Sequence, residues 1–252
     1  MSDNLLFIGH RGTRVIFDEN TYQAFDKAIE YGANYIETDI RKTFDQRLIL
    51  IHDETVDRTT TGKGLVREMI YPEIKELNTL NQARKIPLLI DLLKKYRNTT
   101  NFIFDLKEEN ILNDIIGIIR RYNWLKRSAI VSGRVLDHLI TIKKRFPEIQ
   151  ICYNITKAKK NNLDDFLKQR VQKPNLQQID LINLRSELIT PEFIKRCDES
   201  CITPLAWDFL KYGERAKTKI KSLVEMGVRG ILFDDYHNIL KVKNWIKDLR
   251  FV

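Results

Sequence analysis

Closely spaced carboxylates are the first residues of this 252-residue chain whose arrangement suits chemistry. Glu37 and Asp39 lie on one predicted strand, and side chains two residues apart on a strand face the same side. Two such carboxylates repel one another unless a cation or a proton lies between them. Ile36 and Ile40 alternate with them, so we expect the apolar side chains to face a helix layer and the acids to face inward. Hard oxygen ligands favour magnesium or calcium over zinc.

A second strand-like segment, Phe102 to Leu106, ends in a similar pattern. Asp105 and Lys107 share one face near its end, where an unpaired buried charge costs several kcal/mol. A third metal-binding carboxylate beside a phosphate-facing ammonium would satisfy both groups, and so would a simple Asp–Lys ion pair. This strand alone favours neither interpretation.

Two of the four histidines directly follow strand-like segments. His10 follows Leu5 to Gly9, and His52 follows Leu48 to Ile51. The carboxyl ends of the strands form the active face of an α/β barrel, so both imidazoles are expected there. The other two histidines fall in or beside predicted helices, where solvated or packing roles are expected.

The scaffold that must position these residues is an alternation of short β-branched runs and longer amphipathic runs. About eight strand-then-helix units over this length predict a TIM (β/α)8 barrel, an α/β fold with a closed parallel sheet. The predicted strands are Leu5 to Gly9, Tyr35 to Ile40, Arg47 to Ile51, Phe102 to Leu106, Ala129 to Ser132, Ile149 to Asn154, Ile179 to Leu184, Pro204 to Asp208 and Gly230 to Phe233. The predicted helices are Thr21 to Tyr31, Ile111 to Tyr122, Val135 to Phe146, Leu163 to Val171, Pro191 to Cys197, Ala216 to Met226 and Asn238 to Leu249.

One polar, turn-rich segment interrupts this alternation. It covers about residues 54–84 and contains the run Thr59-Thr60-Thr61-Gly62-Lys63-Gly64. We interpret it as an insertion over the mouth of the barrel, after the second strand region. Residues 1–252 are therefore expected to form a single domain.

The formal net charge of +9, from 43 Lys and Arg against 34 Asp and Glu, suits an anionic partner. The basic residues are spread along predicted helices and are not clustered with aromatic residues, so no nucleic-acid partner is expected. No apolar run approaches the ~20 residues of a membrane span, so no transmembrane segment is expected. Peripheral contact with an anionic lipid surface and the oligomeric state stay open.

The cysteine usage and the first residues bear on the compartment. Cys152, Cys197 and Cys201 do not have the spacing of a zinc site, and we expect buried or half-buried free thiols in a reducing compartment. The first residues lack the basic start and the apolar core of a signal peptide. A cytoplasmic protein is expected.

A series of short motifs covers the first quarter of the chain. They are Gly9-His10-Arg11-Gly12, Glu19-Asn20-Thr21, Gly32-Ala33, Ile36-Glu37-Thr38-Asp39, Ile51-His52-Asp53, Asp57-Arg58-Thr59-Thr60, Gly62 and Gly64. Weaker matches follow at Ile86-Pro87-Leu88, Asp105-Leu106-Lys107, Trp207, Gly227-Val228-Arg229-Gly230-Ile231 and Asp234. In the order and spacing of these motifs, the sequence resembles the glycerophosphodiester phosphodiesterase family. Its members are TIM-barrel phosphodiesterases similar to phosphatidylinositol phospholipase C.

The resemblance implies metal-dependent hydrolysis of a small-molecule glycerophosphodiester to glycerol 3-phosphate and an alcohol. By position it implies an acid/base pair, His10 and His52, and ligands for a divalent cation (Mg²⁺ or Ca²⁺), Glu37, Asp39 and Asp105. It also implies that Arg11, Glu19, Lys107 and Trp207 line the substrate site, with Trp207 as a wall for the glycerol moiety.

The sequence departs from the family in four places, one of which is the usual Trp-Thr-Val-Asn, here Trp207-Asp208-Phe209-Leu210. The third ligand, usually Glu, is the shorter Asp105. Asp18 stands where a proline is usual before Glu19. The ending Thr-Asp-Xaa-Pro becomes Phe233-Asp234-Asp235-Tyr236. The core set of histidines and carboxylates is intact, so these departures bear on substrate choice.

Two alternatives are weighed against this function. A phospholipase D-like enzyme, which cleaves lysophospholipid or sphingolipid phosphodiesters, shares the scaffold and has Asp as third ligand. The spacing of 27 residues from His10 to Glu37 fits the glycerophosphodiesterases better. A non-catalytic barrel that binds a phosphorylated ligand would not need a pair of proton-transfer residues.

The chemistry of a phosphodiester sets two further expectations. The nucleophile is either water or the glycerol 2-hydroxyl, and the sequence leaves both open. Carboxylates near the metal are expected to keep at least one imidazole basic enough to be protonated near neutral pH.

Overall fold

Eight strands close into a parallel barrel, and a ninth is attached to it. The computed structural model describes residues 5–248. Its strands are β1 (Leu6–Gly9), β2 (Tyr35–Lys42), β3 (Leu48–Leu50), β4 (Asn101–Leu106), β5 (Ala129–Gly133), β6 (Gln150–Asn154), β7 (Leu181–Arg185), β8 (Thr203–Trp207) and β9 (Gly230–Phe233). Around the barrel the order is β1, β2, β4 to β9, and β9 pairs in parallel with β1. The predicted TIM (β/α)8 barrel is confirmed.

Helices follow the barrel strands and cover the outside of the sheet. They are α1 (Tyr22–Glu30), α2 (Tyr71–Glu76), α3 (Leu89–Lys95), α4 (Leu112–Arg121), α5 (Leu125–Ser128), α6 (Leu136–Arg145), α7 (Leu163–Leu167), α8 (Lys173–Leu176), α9 (Pro191–Glu199), α10 (Ala216–Met226) and α11 (Tyr236–Asp248). Short 3-10 helices are Val66–Glu68, Glu109–Ile111, Ile155–Lys157, Ser186–Leu188 and Leu210–Arg215. The helix predicted to reach Val171 ends at Leu167, and the predicted end at Leu249 lies outside the described residues.

Two apolar cores lie on the two faces of the sheet. The lumen is filled by one inward side chain from each of seven strands: Ile8, Ile103, Ile130, Cys152, Leu181, Leu205 and Leu232. Outward residues such as Ile36, Ile40 and Phe104 pack in the larger core that contains the helices. On β4 the inward position two residues after Ile103 is Asp105, and on β2 the inward positions include Glu37 and Asp39. The lumen is therefore apolar in its middle and charged at its carboxyl end.

The strand before His52 differs from the sequence-based expectation. β3 is antiparallel to β2, with Ile40 opposite Leu50, and it is not a barrel strand. The chain passes the carboxyl end of β2, turns back through a hairpin, and runs toward the mouth of the barrel. The backbone N–H of Ile51 then bonds to the carbonyl of Asp39 at 3.1 Å. His52 therefore reaches the active face, but by a returning hairpin.

The segment after His52 packs around a small core of its own. That core contains Ile49, Ile51, Val56, Val66, Ile74 and Ile86. Asp18, the residue at the usual proline position, is buried and joins the segment to the β1–α1 loop. It accepts hydrogen bonds from Thr79 Oγ1 (2.7 Å), Asn81 Nδ2 (2.7 Å) and the backbone N–H of Gln82 (2.8 Å).

The three cysteines are free thiols. Cys152 and Cys197 are buried, as predicted. Cys201 is exposed, which contradicts the expectation of buried or half-buried thiols. It follows α9 in a turn and does not lie on the packed face of that helix.

Candidate active site

A pocket opens at the carboxyl end of the barrel and collects the residues singled out in the sequence. Seven of the nine line it: His10, Arg11, Glu37, His52, Asp105, Lys107 and Trp207. The other two, Glu19 and Asp39, contact the Arg11 side chain behind the pocket wall. All nine predicted site residues are therefore brought together.

Three buried carboxylates form a cluster at the centre. One oxygen each from Glu37, Asp39 and Asp105 lies within 4.8 Å of the others. β2 and β4 pair in parallel with Asp39 directly opposite Asp105, which sets this spacing. Asp39 Oδ1 is buried and forms an ion pair with Lys107 Nζ, 2.8 Å away. Three converging carboxylate oxygens fit the coordination of a hard divalent cation.

Cationic side chains neutralise part of this cluster. Lys107 Nζ forms ion pairs with both Asp105 and Asp39, and Arg11 Nε lies 3.2 Å from Asp39 Oδ2. Burial and the neighbouring Asp39 and Asp105 raise the pKa of Glu37 well above its usual value. Burial would also raise the pKa of Asp39, but Lys107 and Arg11 hold it well below the usual range. Glu37 is therefore the carboxylate at which a proton or a cation relieves the repulsion within the cluster.

His10 is oriented by a carboxylate from the opposite end of the chain. Its Nδ1 lies 2.7 Å from Asp234 Oδ1. Asp234 also accepts hydrogen bonds from Arg14 Nε at 2.6 Å and from the backbone N–H of Phe209 at 2.8 Å. Despite burial, His10 and these donors lower the pKa of Asp234, so the carboxyl group is ionised and Nδ1 carries the proton. Nε2 is the nitrogen left to exchange a proton in the pocket.

His52 has a corresponding partner in the next residue. Its Nδ1 lies 2.6 Å from Asp53 Oδ1, and Asp53 Oδ2 pairs with Arg58 Nε. Burial alone would raise the pKa of Asp53, but the hydrogen bonds from Arg58 and His52 lower it to about 2. The second imidazole is therefore also held through Nδ1, and its Nε2 is free for proton transfer.

Both imidazoles are less basic than the sequence suggested. Burial lowers the pKa of His52 to about 4, against the raising effect of Asp39. Burial and the Arg14 charge lower the pKa of His10, although Asp234 raises it. The expectation that the carboxylates keep one imidazole protonated near neutral pH is contradicted, because desolvation outweighs their attraction.

A series of ion pairs links the loop that follows His10 to the loop that follows His52. Arg11 donates through a terminal nitrogen to Glu19 Oε1 at 2.9 Å. Arg58 binds both oxygens of Glu19, at 2.6 and 3.2 Å, and also pairs with Asp53. Glu19 therefore contacts other protein residues and does not line the pocket. Its charge fixes the positions of two arginines, one from each loop.

The turn after β1 needs glycine at two positions. A Cβ on Gly9 would lie 2.5 Å from the Gly12 carbonyl oxygen, and one on Gly12 would lie 2.6 Å from the backbone of Ala24. Gly12 also has φ of +80°. This tight turn points the backbone N–H of Arg11 at Glu37 Oε2, 2.9 Å away.

Trp207 forms one wall of the pocket. Its ring meets the His10 ring edge-on, with 6.2 Å between the ring centroids. The Arg185 guanidinium carbon lies over the Trp207 ring, 5.0 Å from its centroid. Two amide oxygens line the pocket near it. The Oδ1 atoms of Asn154 and Asn183 are buried without a hydrogen-bond partner in the described chain, and both residues line the pocket.

Sequence reasoning gave no role to several residues that hold the site. Asn20 donates to Asp39 Oδ2 at 2.9 Å and accepts from Thr38 Oγ1 at 2.8 Å. Asp234 and Asp53 orient the histidines, and their positions in the sequence could have indicated this role. Asp53 is adjacent to His52, and Asp234 directly follows the last barrel strand. Nothing in the spacing of Asn20 pointed to Asp39.

Comparison with known proteins places this site in a family. The model of the "Glycerophosphoryl diester phosphodiesterase family" matches residues 10–237. A glycerophosphodiester phosphodiesterase of Caldanaerobacter subterraneus is 27% identical, over 94% of this chain and 97% of that protein. One of Bacillus altitudinis is also 27% identical, over 94% of this chain and 98% of that protein.

Solved structures share the fold. A glycerophosphoryl diester phosphodiesterase of Parabacteroides distasonis superposes with a TM-score of 0.80 at 20% identity, over 97% of this chain and 88% of that one. A phosphodiesterase of Oleispira antarctica, solved with the product sn-glycerol-3-phosphate, gives 0.73 at 20% identity, over 93% and 94% of the two chains. Within residues 5–248, none of the helices has both the length and the apolar character needed to cross a bilayer.

Proposed function

The chain belongs to the glycerophosphoryl diester phosphodiesterase family, and from this we propose that it hydrolyses glycerophosphodiesters to glycerol 3-phosphate and an alcohol. The observation that carries the proposal is the joint presence, in one pocket, of three clustered carboxylates and two imidazoles. Each imidazole is held by an aspartate through Nδ1. Hydrolysis of a phosphodiester requires charge neutralisation and two proton transfers, and this pocket offers groups for both.

The carboxylates Glu37, Asp39 and Asp105 are proposed to hold a divalent cation. Their converging oxygens support it, and oxygen-only donors favour magnesium or calcium. When bound, such a cation neutralises negative charge on the phosphoryl oxygens.

The chain's own residues supply the rest of the chemistry. The Lys107 ammonium lines the pocket beside the carboxylates, and the Arg11 guanidinium lies against Asp39. Both add positive charge where the transition state gathers negative charge. One imidazole removes the proton of the nucleophile through its neutral Nε2. The other must first take up a proton from solvent on its own Nε2, and it then gives that proton to the departing alcohol oxygen. His10 and His52 are proposed for these two roles.

The unbonded amide oxygens suit the hydroxyl groups of glycerol. Asn154 is fixed because its Nδ2 donates to Asp105 Oδ1 at 2.6 Å, which leaves its Oδ1 toward the pocket. A buried acceptor without a donor is unfavourable, and a substrate hydroxyl removes that penalty. Asn183 offers a second such acceptor, and Trp207 closes the same side of the pocket. We assign this wall to the glycerol moiety.

Two further proposals concern the whole chain. The barrel and its insertion act as one domain, supported by the bonds from Asp18 to the insertion. A cytoplasmic location is supported by three free thiols, one of them exposed. The alternatives weighed from the sequence, phospholipase D-like cleavage and phosphate binding without catalysis, are not favoured by the family match over residues 10–237.

Product analysis tests the function. The purified protein is incubated with glycerophosphocholine, glycerophosphoethanolamine, lysophosphatidylcholine and sphingomyelin, with magnesium or calcium, and the phosphorylated products are identified by phosphorus NMR. We expect glycerol 3-phosphate from the glycerophosphodiesters. If the main product is lysophosphatidic acid or ceramide phosphate, the phospholipase D-like function replaces the proposal. If no substrate gives a product, catalysis is refuted.

A further inference from the structure

Large apolar side chains that stay exposed are concentrated at one end of the molecule. Eight such side chains occur within residues 5–248. Seven lie in loops or in the insertion at the carboxyl ends of the strands, the end that holds the catalytic pocket, and the eighth, Leu240, lies on α11. Scattered exposed apolar residues are ordinary on a protein surface, but their collection at one end indicates an interaction surface.

Five of these side chains lie in neighbouring segments and are called the apolar rim here: Val15, Ile16, Leu80, Leu188 and Leu210. Each is between 40% and 56% exposed. The insertion reaches the β1–α1 loop, because Gln82 Nε2 donates to the carbonyl of Ile16 at 3.3 Å. The loops after β7 and β8 are joined by an ion pair between Glu187 and Lys211, the residues next to Leu188 and Leu210.

The apolar rim borders the pocket. Arg14 precedes Val15, and its Nε binds Asp234, the carboxylate that orients His10. The same guanidinium lies 4.0 Å from Asp208, which follows the pocket residue Trp207. A surface that covers the rim would therefore lie directly against the entrance of the catalytic pocket.

Basic side chains lie on other loops of the same end. The basic group, as named here, consists of Arg134, Lys157, Lys159 and Lys160, after β5 and β6. All four are exposed, and none forms a side-chain ion pair with another described residue. Glu54, Glu109 and Asp137 border the same groove, so the local excess is small. The whole chain, at +9, adds a long-range attraction to anionic surfaces.

We propose that the apolar rim and the basic group dock the active end of the barrel on a lipid bilayer that contains anionic lipids. Apolar side chains insert at the boundary of headgroups and acyl chains, and lysines bind the negative surface charge. The proposal rests on the proposed function, since a bilayer surface displays phosphodiester headgroups at the entrance of a phosphodiesterase pocket.

Vesicle sedimentation tests the docking. The full chain is mixed with vesicles of phosphatidylcholine alone and with vesicles of phosphatidylcholine and phosphatidylglycerol, and the bound fraction is measured. We expect binding to the anionic vesicles and weaker binding at high salt. The changes Ile16→Asp with Leu210→Asp, and separately Lys159→Glu with Lys160→Glu, are each expected to weaken binding by about tenfold or more. No sedimentation of the wild-type protein with anionic vesicles overturns the proposal.

Matched changes on an outer helix serve as controls. Leu240→Asp replaces a side chain that is 47% exposed, and Lys241→Glu with Lys247→Glu reverses the same number of charges on α11. If these controls weaken binding as much as the rim and basic-group variants, docking through the active end is refuted. Sedimentation equilibrium shows whether the rim instead joins two copies. A dimer that Ile16→Asp dissociates would overturn the lipid assignment.

Hydrolysis of soluble glycerophosphocholine separates this proposal from the proposed function. The rim and basic-group variants are expected to keep the wild-type rate on this substrate, because none of the changed residues belongs to the catalytic set. Normal hydrolysis without vesicle binding refutes the docking alone. Vesicle binding by a wild-type protein that hydrolyses no substrate refutes the function alone.

Discussion

His10 and Asp234 lie 224 residues apart in the chain and are joined by a contact of 2.7 Å between Nδ1 and Oδ1. β1 and β9 meet where the barrel closes, and each of these residues directly follows one of the two strands. Closure of the barrel therefore assembles the imidazole and the carboxylate that fixes its tautomer. The catalytic role proposed for His10 depends on this seam.

Replacement of Asp234 by Asn is expected to lower kcat by roughly 10- to 1,000-fold with a small change in KM. The amide still occupies the site, but it does not hold the proton on Nδ1 as the ionised carboxylate does. Steady-state kinetics on a glycerophosphodiester measure the change. Asp235→Asn is the matched control, since Asp235 contacts His237 outside the pocket. Equal effects of the two changes would contradict the role of Asp234.

Replacement of His10 or His52 by Ala is expected to lower turnover by roughly two or more orders of magnitude, because each removes one proton-transfer group. Substrate binding and the fold should persist, as checked by isothermal titration and circular dichroism. His237→Ala, on α11 and away from the pocket, should keep the wild-type rate. A near wild-type rate in either pocket variant would make that histidine structural.

Replacement of Asp105 by Asn tests whether the shorter third carboxylate binds the metal. If it does, the variant needs more cation for half-maximal activity, and excess cation partly restores the rate. If Asp105 only pairs with Lys107, the metal midpoint stays the same and the free energy of unfolding falls. We expect the shifted midpoint, because Asp105 lies opposite Asp39 in the sheet. Asp137→Asn, at an exposed position of α6, is the control.

Replacement of Asp18 by Ala is expected to lower the free energy of unfolding by about 2–3 kcal/mol, since three donors from the insertion lose their acceptor. Urea denaturation measures the loss, and limited proteolysis should show faster cleavage within residues 54–84. Asp57→Ala, which removes one exposed bond to the N–H of Gly64, should cost about 1 kcal/mol or less. Similar losses in both variants would mean that Asp18 does not anchor the insertion.

The fold was largely predictable because its signals are local. β-branched runs and helical periodicity set each strand-then-helix unit, and the Thr190 side chain caps α9 directly before Pro191. The acids of β2 were placed inward by alternation alone. The antiparallel β3 was not predictable, because strand direction depends on which neighbour pairs with it and not on local pattern.

The parts of the site that escaped prediction depend on contacts distant in sequence. The pair His10–Asp234 requires the closed barrel, and the pair Asn20–Asp39 requires β1 to pair with β2. The low basicity of His52 depends on how deeply the assembled loops bury it, and a sequence does not contain that depth. Asp18 looked like a simple loss of the usual proline, but it anchors the insertion.

The central claim is that this pocket cleaves glycerophosphodiesters with a cation held by its three carboxylates. The most direct measurement is the rate of glycerol 3-phosphate release from glycerophosphoethanolamine, with magnesium or calcium, after chelation, and after cation is restored. We expect turnover with cation, loss of turnover in chelator, and recovery when either ion is added back. Full turnover in chelator, by protein shown by elemental analysis to contain no metal, would contradict the claim.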